Sequence, residues 1–217
     1  MTTNETIKIL IADDHAIVRE GLKQILADTK DIIVAGDAEN GNDAIKLARN
    51  KSDSDVLLLD ISMPDRSGIE VLKQVKKESP KMAVLMLSMH REDQYAIRSL
   101  KAGAAGYLNK QSAPAELVDA IRLVASGRKY ISPALAQELA NQVGDENREV
   151  PPHETLSDRE YQTLVMIASG KTVSDIAAEL TLSVKTISMY RSRLLQKMKM
   201  RHNAELTHYA IKNHLVE

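Results

Sequence analysis

The stretch Asp55-Val56-Leu57-Leu58-Leu59-Asp60-Ile61-Ser62-Met63-Pro64 decides the fold. Residues 55–59 are nearly continuous in apolar side chains, as expected of a strand covered by helices on both faces. The run stops at a carboxylate, passes through a loop containing Pro64, and gives way to a helical pattern over residues 68–77. A buried strand feeding an amphipathic helix is the repeating unit of a parallel sheet.

Working outward, the same unit recurs. Strands are predicted over residues 7–12, 32–38, 82–87 and 106–108, with helices over 16–27, 41–49, 91–102 and 114–126. In the last helix Leu117, Ile121 and Val124 form one stripe, Pro114 suits the first turn and Gly127 the stop. The fold class is therefore α/β, a doubly wound five-stranded parallel sheet.

A further helix is predicted over residues 132–143, with Ser132 as its N-cap and Pro133 at its first position. Residues 144–154 turn polar, acidic and Pro-containing, and read as a linker. Four helical segments follow without a strand pattern, at 157–169, 173–180, 183–200 and 203–214. The expected organisation is a first domain over 1–128, a linker with one helix over 129–154, and an all-α four-helix domain over 155–217.

Composition fits two modest domains in a chain of 217 residues. Cysteine is absent, which excludes a disulfide framework and a thiolate metal site. No apolar run approaches the roughly 18 residues needed to cross a bilayer, and residues 1–6 are polar. The expectation is a cytoplasmic chain with no membrane partner.

Net charge is -1, but the balance is uneven. Residues 1–130 carry 19 basic and 19 acidic side chains, residues 131–155 carry 1 and 5, and residues 156–217 carry 9 and 6. Within the last third, Lys185, Arg191, Arg193, Lys197, Lys199 and Arg201 lie in a stretch without one acid. Such a stretch meets a polyanion or forms a solvated face.

In an open α/β sheet, ligands gather at the carboxyl ends of the strands. The first strand is followed by Asp13 and Asp14, the third by Asp60, the fourth by Ser88 and the fifth by Lys110. Singly, an Asp or Ser after a strand is usually a cap or turn residue. Jointly, three carboxylates, a hydroxyl and an ammonium converge on one end of the sheet. Clustered carboxylates repel unless a cation lies between them, and an all-oxygen set suits Mg²⁺. Beside such an ion Asp60 can attack phosphorus, Lys110 neutralises phosphoryl oxygens and Ser88 donates a hydrogen bond to one.

The segments Asp13-Asp14-His15, Leu59-Asp60-Ile61-Ser62-Met63-Pro64, Leu87-Ser88-Met89-His90 and Gly103-Ala104-Ala105-Gly106-Tyr107-Leu108-Asn109-Lys110 resemble a response-regulator receiver domain of flavodoxin-like fold. The resemblance implies that Asp60 accepts phosphate from a sensor histidine kinase. It implies that Asp14, Asp60 and the Ser62 carbonyl bind Mg²⁺, with Asp13 acting through water. Ser88 and Lys110 would engage the phosphoryl group, and Tyr107 would turn inward when Ser88 moves. Many receivers place Pro after the Lys and hold that bond cis; Gln111 stands there in this chain.

In the last third, Ile176, Ala177 and Leu180, then Leu182, then Ile187, Tyr190, Leu194 and Met198 have the spacing of two helices joined by a tight turn. Lys185, Ser188, Met189, Ser192 and Gln196 fall on the opposite face of the second helix, with Arg191 and Arg193 at its edges. Ser183, Lys185, Thr186 and the arginines suit phosphate contacts, whereas Ser188, Met189 and Ser192 suit base edges in a major groove. A helical bundle with a solvated basic face has the same pattern, and Thr181 stands where many such turns have Gly.

Leu156-Ser157-Asp158-Arg159-Glu160, Ile176-Ala177-Ala178-Glu179-Leu180 and Ser183-Val184-Lys185-Thr186-Ile187 are similar to the DNA-binding effector domain of NarL/FixJ, or LuxR-type, regulators. The resemblance implies promoter binding, a homodimer in the active state, RNA polymerase as a further partner, and dimerisation or simple packing by residues 204–213. It implies a regulator rather than an enzyme. An Asp-nucleophile phosphohydrolase and a purely protein-binding helical third are the competing readings.

Gly170-Lys171-Thr172 lacks the first Gly of a phosphate-binding loop, which places Val165 there. His153, His202, His208 and His214 form no closed ligand set with a carboxylate pair, so no metal besides Mg²⁺ is expected.

Overall fold

The computed structural model describes residues 6–89, 92–143 and 151–216. His90, the start of the predicted helix at residue 91 and most of the linker assigned to 144–154 lie outside the described residues. By contacts the chain divides into two compact units, Met1–Asn141 and Gln142–Glu217, a boundary that falls inside the helix after the sheet.

The first unit holds β1 (Ile7–Ala12), β2 (Ile32–Ala38), β3 (Val56–Asp60), β4 (Ala83–Ser88) and β5 (Gly106–Asn109), all parallel, in the order β2-β1-β3-β4-β5. Around them run α1 (Ala16–Ala27), α2 (Gly41–Asn50), α3 (Gly68–Glu78), α4 (Glu92–Lys101) and α5 (Ala113–Ala125), followed by α6 (Pro133–Val143). This is the doubly wound architecture read from the apolar runs. Chain order reverses between β1 and β3, which places the ligand crevice at their carboxyl ends.

Both faces of the sheet are covered. Ile9, Ile11, Val56, Leu58, Leu85, Leu87 and Leu108 point to one face and pack with Leu22 and Leu26 of α1 and Leu117, Ile121 and Val124 of α5. The intervening residues Leu10, Leu57, Leu59, Val84 and Met86 are equally buried on the other face, where α2 lies against β1 and β2 and α3 against β3. Burial on both faces is why these strands show apolar runs instead of alternation.

Three strands, β3, β4 and β5, extend one residue past their predicted ends. Asp60 pairs with Leu87 and Ser88 with Asn109, so all three polar residues belong to the ladder. Hydrogen bonding continues through a polar residue whose backbone has a partner; composition marks only where the apolar side chains stop.

α3 starts with a reciprocal cap: Ser67 Oγ accepts from the backbone of Ile69, and the Glu70 carboxylate accepts from the Ser67 N–H. The next residue, Gly68, is fixed by contact. A Cβ there would stand 2.1 Å from the carbonyl oxygen of Asp60 and 2.7 Å from the Cα of Ile61. The loop carrying Asp60 therefore folds back onto the helix that follows it, and the Gly68 N–H donates to Ile61 O at 2.8 Å.

The second unit contains a short 3₁₀ turn (Pro152–Thr155), α7 (Asp158–Ala168), α8 (Val173–Glu179), α9 (Val184–Met198) and α10 (Asn203–Lys212). α7 packs on α9 and α10, and α8 on α9. Ser157 with Glu160 and Thr172 with Asp175 form capping boxes, and Ser183 Oγ accepts from Thr186 N–H at 3.0 Å. Ala177 is buried where α8 meets its neighbours. Thr181 has φ of 53°, so the turn adopts the left-handed backbone that Gly would take without cost.

Two substitutions test these contacts. Gly68→Ala is expected to lower the unfolding free energy of the first unit by about 1–3 kcal/mol, the usual cost of overpacking. Thr181→Gly is expected to stabilise the second unit by about 0.5–1 kcal/mol, because relief of left-handed strain exceeds the extra unfolded-state entropy. Chemical denaturation followed by circular dichroism checks both.

Candidate functional site

The carboxyl ends of β1, β3 and β5 bring Asp13, Asp14, Asp60 and Lys110 together, as the strand reading required. Lys110 Nζ lies 2.6 Å from Asp13 Oδ2 and 3.0 Å from Asp60 Oδ2. Asp13 and Asp60 are buried and Asp14 is half-buried. Ser88 is fully buried at the end of β4, and its carbonyl accepts from Lys110 N–H at 2.8 Å, which ties the β4 and β5 ends together. Tyr107 is also fully buried, paired across the ladder with Met86.

Electrostatics set the character of the pocket. Burial pushes the Asp60 carboxyl up to about 6; the Lys110 ammonium opposes this, Asp13 adds to it, and the backbone of Ser62 opposes it weakly. Burial pulls the Lys110 ammonium down, yet Asp60 and Asp13 outweigh it and hold the group above its ordinary value. The Lys110 ammonium thus faces two carboxylates, with Asp14 as a third acid in the same cluster. Asp13 Oδ2, Asp14 Oδ1 and Asp60 Oδ2 are buried without a well-directed hydrogen bond, even though Lys110 and His15 lie within ion-pair distance. Buried anionic oxygens in that state fit a cation.

A fourth group joins the acids that composition had set aside. His15 Nδ1 lies 2.8 Å from Asp14 Oδ1 and 3.4 Å from Asp13 Oδ1. One donor atom from each of Asp13, Asp14, His15 and Asp60 falls within 4.8 Å of the others. His153, His202, His208 and His214 belong to no such group among the described residues; His153 instead shares a 2.8 Å hydrogen bond with the Tyr209 hydroxyl.

Two further residues, one in the loop after β3 and one bracing the loop after β1, were not singled out in the sequence. Asp65 accepts from the N–H groups of Gly41 and Asn42 at 2.7 and 2.8 Å, binding the loop to the start of α2. Arg19 donates to the Asp13 carbonyl at 2.8 Å and to Asp37 at 3.0 Å. The Lys110–Gln111 bond is trans, since the described residues contain no cis peptide. Gln111 uses the N–H that Pro would lack, donating to Asn109 Oδ1 at 2.8 Å.

On α9, Lys185, Ser188, Met189, Ser192, Arg193 and Gln196 are exposed, while Ile187, Leu194 and Met198 are buried. The predicted face therefore exists, with one basic residue at its edge, Arg191, and one of the neighbouring acid-free stretch, Lys197, engaged within the unit. Arg191 Nε donates to Asn203 Oδ1 at 2.6 Å, and Lys197 Nζ lies 2.7 Å from the buried Glu160. Thr186 is half-buried with its hydroxyl 2.8 Å from that of Ser183, and Ser192 Oγ donates to the Ser188 carbonyl at 2.9 Å. Lys171 pairs with Glu179 next to Gly170, whose φ of 87° ends α7.

The raised Asp60 value has a sign. A carboxyl that is harder to ionise when folded leaves the metal-free protein most stable below 3.8, the ordinary value, and costs it stability as pH rises to about 6. Asp60→Asn is expected to raise metal-free stability at pH 7.5 by on the order of 3 kcal/mol, with the gain vanishing near pH 4. Thermal melts in chelator across that range check this.

Two family models match the chain: the response regulator receiver domain over residues 9–122 and the bacterial regulatory proteins of the luxR family over residues 154–210. The response regulator UvrY of Escherichia coli K12 is 41% identical over 210 residues, spanning 96% of this chain and 95% of that protein. The response regulator GacA of Pseudomonas aeruginosa is 38% identical, spanning 97% and 98%. Among solved structures, the RcsB response regulator of Salmonella typhimurium superposes with a TM-score of 0.68 at 26% identity, covering 98% of this chain and all of that one. RcsB from Salmonella enterica serovar Typhimurium has also been solved bound to promoter rprA with the phosphomimetic BeF3-, at a TM-score of 0.63 and 26% identity over 94% of this chain and 98% of that one. The chain accordingly belongs to the two-component response regulators that join a receiver domain to a LuxR-type helical domain, regulators rather than enzymes.

Proposed function

We propose that phosphorylation of Asp60 by a cognate sensor histidine kinase switches pairing of this chain and its sequence-specific binding to promoter DNA. The observation that carries the reading is the bridge from Lys110 to Asp13 and Asp60 in a buried pocket with too little positive charge. The RcsB complex with promoter DNA and BeF3- supports the same use of both halves. On this reading residues 1–128 act as receiver, 129–154 as linker with one helix and 155–217 as DNA-binding domain.

In the transfer, an Asp60 carboxylate oxygen attacks the donor phosphorus, an acyl phosphate bond forms, and the donor's P–N bond breaks as its imidazole leaves and takes up a proton. Mg²⁺, when bound, would supply charge neutralisation; Asp14, Asp60 and the Ser62 carbonyl are the residues to hold it, with Asp13 through water. Lys110 neutralises phosphoryl oxygens, and Ser88 donates a hydrogen bond to one. Ser88 ends β4 and Tyr107 stands opposite Met86, two residues before it, so a shift of Ser88 toward phosphate frees space for Tyr107 to repack.

On the second unit, Ser183, Lys185, Thr186, Arg191 and Arg193 serve as phosphate contacts, Arg191 by exchanging its hydrogen bond to Asn203. Ser188, Met189 and Ser192 serve as base contacts. No helix among the described residues is long and apolar enough to cross a membrane, which accords with action on cytoplasmic DNA. RNA polymerase is the further partner.

Incubation with a small phosphodonor and Mg²⁺ is expected to give stable one-to-one labelling that Asp60→Asn abolishes. Labelling of Asp60→Asn at the wild-type site, or continuous turnover of varied phosphoesters, would refute the nucleophile assignment. In mobility shifts on promoter fragments, Lys185→Ala with Arg193→Ala is expected to weaken binding and reduce the salt slope by about 2. Unchanged binding in that variant would place the interface elsewhere.

A further inference from the structure

We propose that His15 supplies an imidazole nitrogen to the divalent-ion site, so that the pocket takes Mn²⁺ in preference to Mg²⁺. The inference rests on reading the acidic pocket as a cation site and adds a ligand to it.

His15 stands at the N-cap of α1, yet its side chain makes no capping hydrogen bond. Asn40, Ser67, Ser157, Thr172 and Ser183, in the same position on other helices, cap with theirs, whereas Ser112 and His202 do not. Imidazole is outside the group of side chains favoured at an N-cap, so the start of α1 gives no account of this residue. Its backbone is committed, donating to Asp13 Oδ1 at 2.9 Å, and this fixes the ring at the mouth of the pocket. From there Nδ1 reaches Asp14 Oδ1 at 2.8 Å and Asp13 Oδ1 at 3.4 Å.

Donor atoms around one ion, each about 2.0–2.2 Å from it, lie within about 4.4 Å of one another. The donor atoms of Asp13, Asp14, His15 and Asp60 all lie within 4.8 Å of one another, so closure by a few tenths of an ångström brings Asp14, His15 and Asp60 around one ion, with Asp13 reaching it through water. Three buried carboxylate oxygens, Asp13 Oδ2, Asp14 Oδ1 and Asp60 Oδ2, meet here, with Lys110 Nζ near the first and third and His15 Nδ1 near the second. A neutral imidazole adds a donor without adding to the repulsion among three carboxylates. A nitrogen donor among oxygens shifts preference from a hard ion toward a first-row transition ion.

The test uses the full chain. Mn²⁺ is titrated in and free ion is followed by electron paramagnetic resonance, with Mg²⁺ as competitor. Pulsed measurement then reads ¹⁴N modulation from a coordinated imidazole. The expected result is one bound Mn²⁺ with ¹⁴N modulation that changes to the ¹⁵N pattern in protein grown on ¹⁵N-histidine. In His15→Gln the modulation disappears and Mn²⁺ affinity falls on the order of tenfold or more, a larger loss than that of Mg²⁺ affinity. Mn²⁺ bound without histidine modulation, or with modulation that persists in His15→Gln, overturns the role of His15 and leaves the cation pocket standing. Absence of Mn²⁺ and Mg²⁺ binding overturns both.

Discussion

The ammonium of Lys110 lies between two buried carboxylates contributed by strands far apart in the chain, and this bridge governs the geometry of the first unit. β1 and β3 are neighbours, so Asp13 and Asp60 meet across one strand spacing. β5 is separated from β3 by β4, a gap of roughly 10 Å at about 4.8 Å per strand. A long, flexible side chain is needed to cross it, and Lys110 does so above the end of β4, where Ser88 sits. An Asp or Ser after β5 lacks the reach. The order of residues along the chain thus follows from the order of strands in the sheet: acids on the two central strands, a hydroxyl on the next, a lysine on the edge.

Holding that bridge requires the backbone beneath it to stay put. Asp60 is fixed from below by its pairing with Leu87, from the side by Ile61 N–H donating to Leu87 O, and from above by Gly68 against its carbonyl. Asp65 then fastens the same loop to α2. The charged groups cannot relax apart to find water, so the excess of negative charge persists as a standing affinity for cations. A rigid frame around under-compensated charge is what converts three aspartates into a site.

The doubly wound sheet was legible because strands buried on two faces write themselves as apolar runs, and β1 and β2 fall where those runs were drawn. Asp60 and Ser88 were placed after their strands because a polar residue hides the continuation of backbone pairing. His15 was passed over for a different reason: spacing reveals that two acids are adjacent, but the direction of the next side chain depends on how Asp13 captures its N–H. Thr181 weighed against a helical turn in the sequence, yet it takes the left-handed backbone in a turn closed by Leu182 N–H donating to Ala177 O. Local hydrogen bonding overrides residue preference at both positions.

The acid-free stretch on α9 shows how charge counting differs from charge availability. Lys197 is held by Glu160 and Arg191 by Asn203, so the interior of the second unit uses part of what the sequence offers to a polyanion. Lys185, Arg193, Lys199 and Arg201 are exposed and make no ion pair among the described residues. Under the proposed function, about four phosphate contacts per copy would give a salt slope of about 4. Counterion release on that scale gives a single copy weak, sequence-indifferent attachment. Two copies on adjacent half-sites double the contacts and add a geometric requirement on their spacing. Under the same proposal, a switch acting on pairing would change DNA occupancy without altering any residue on α9.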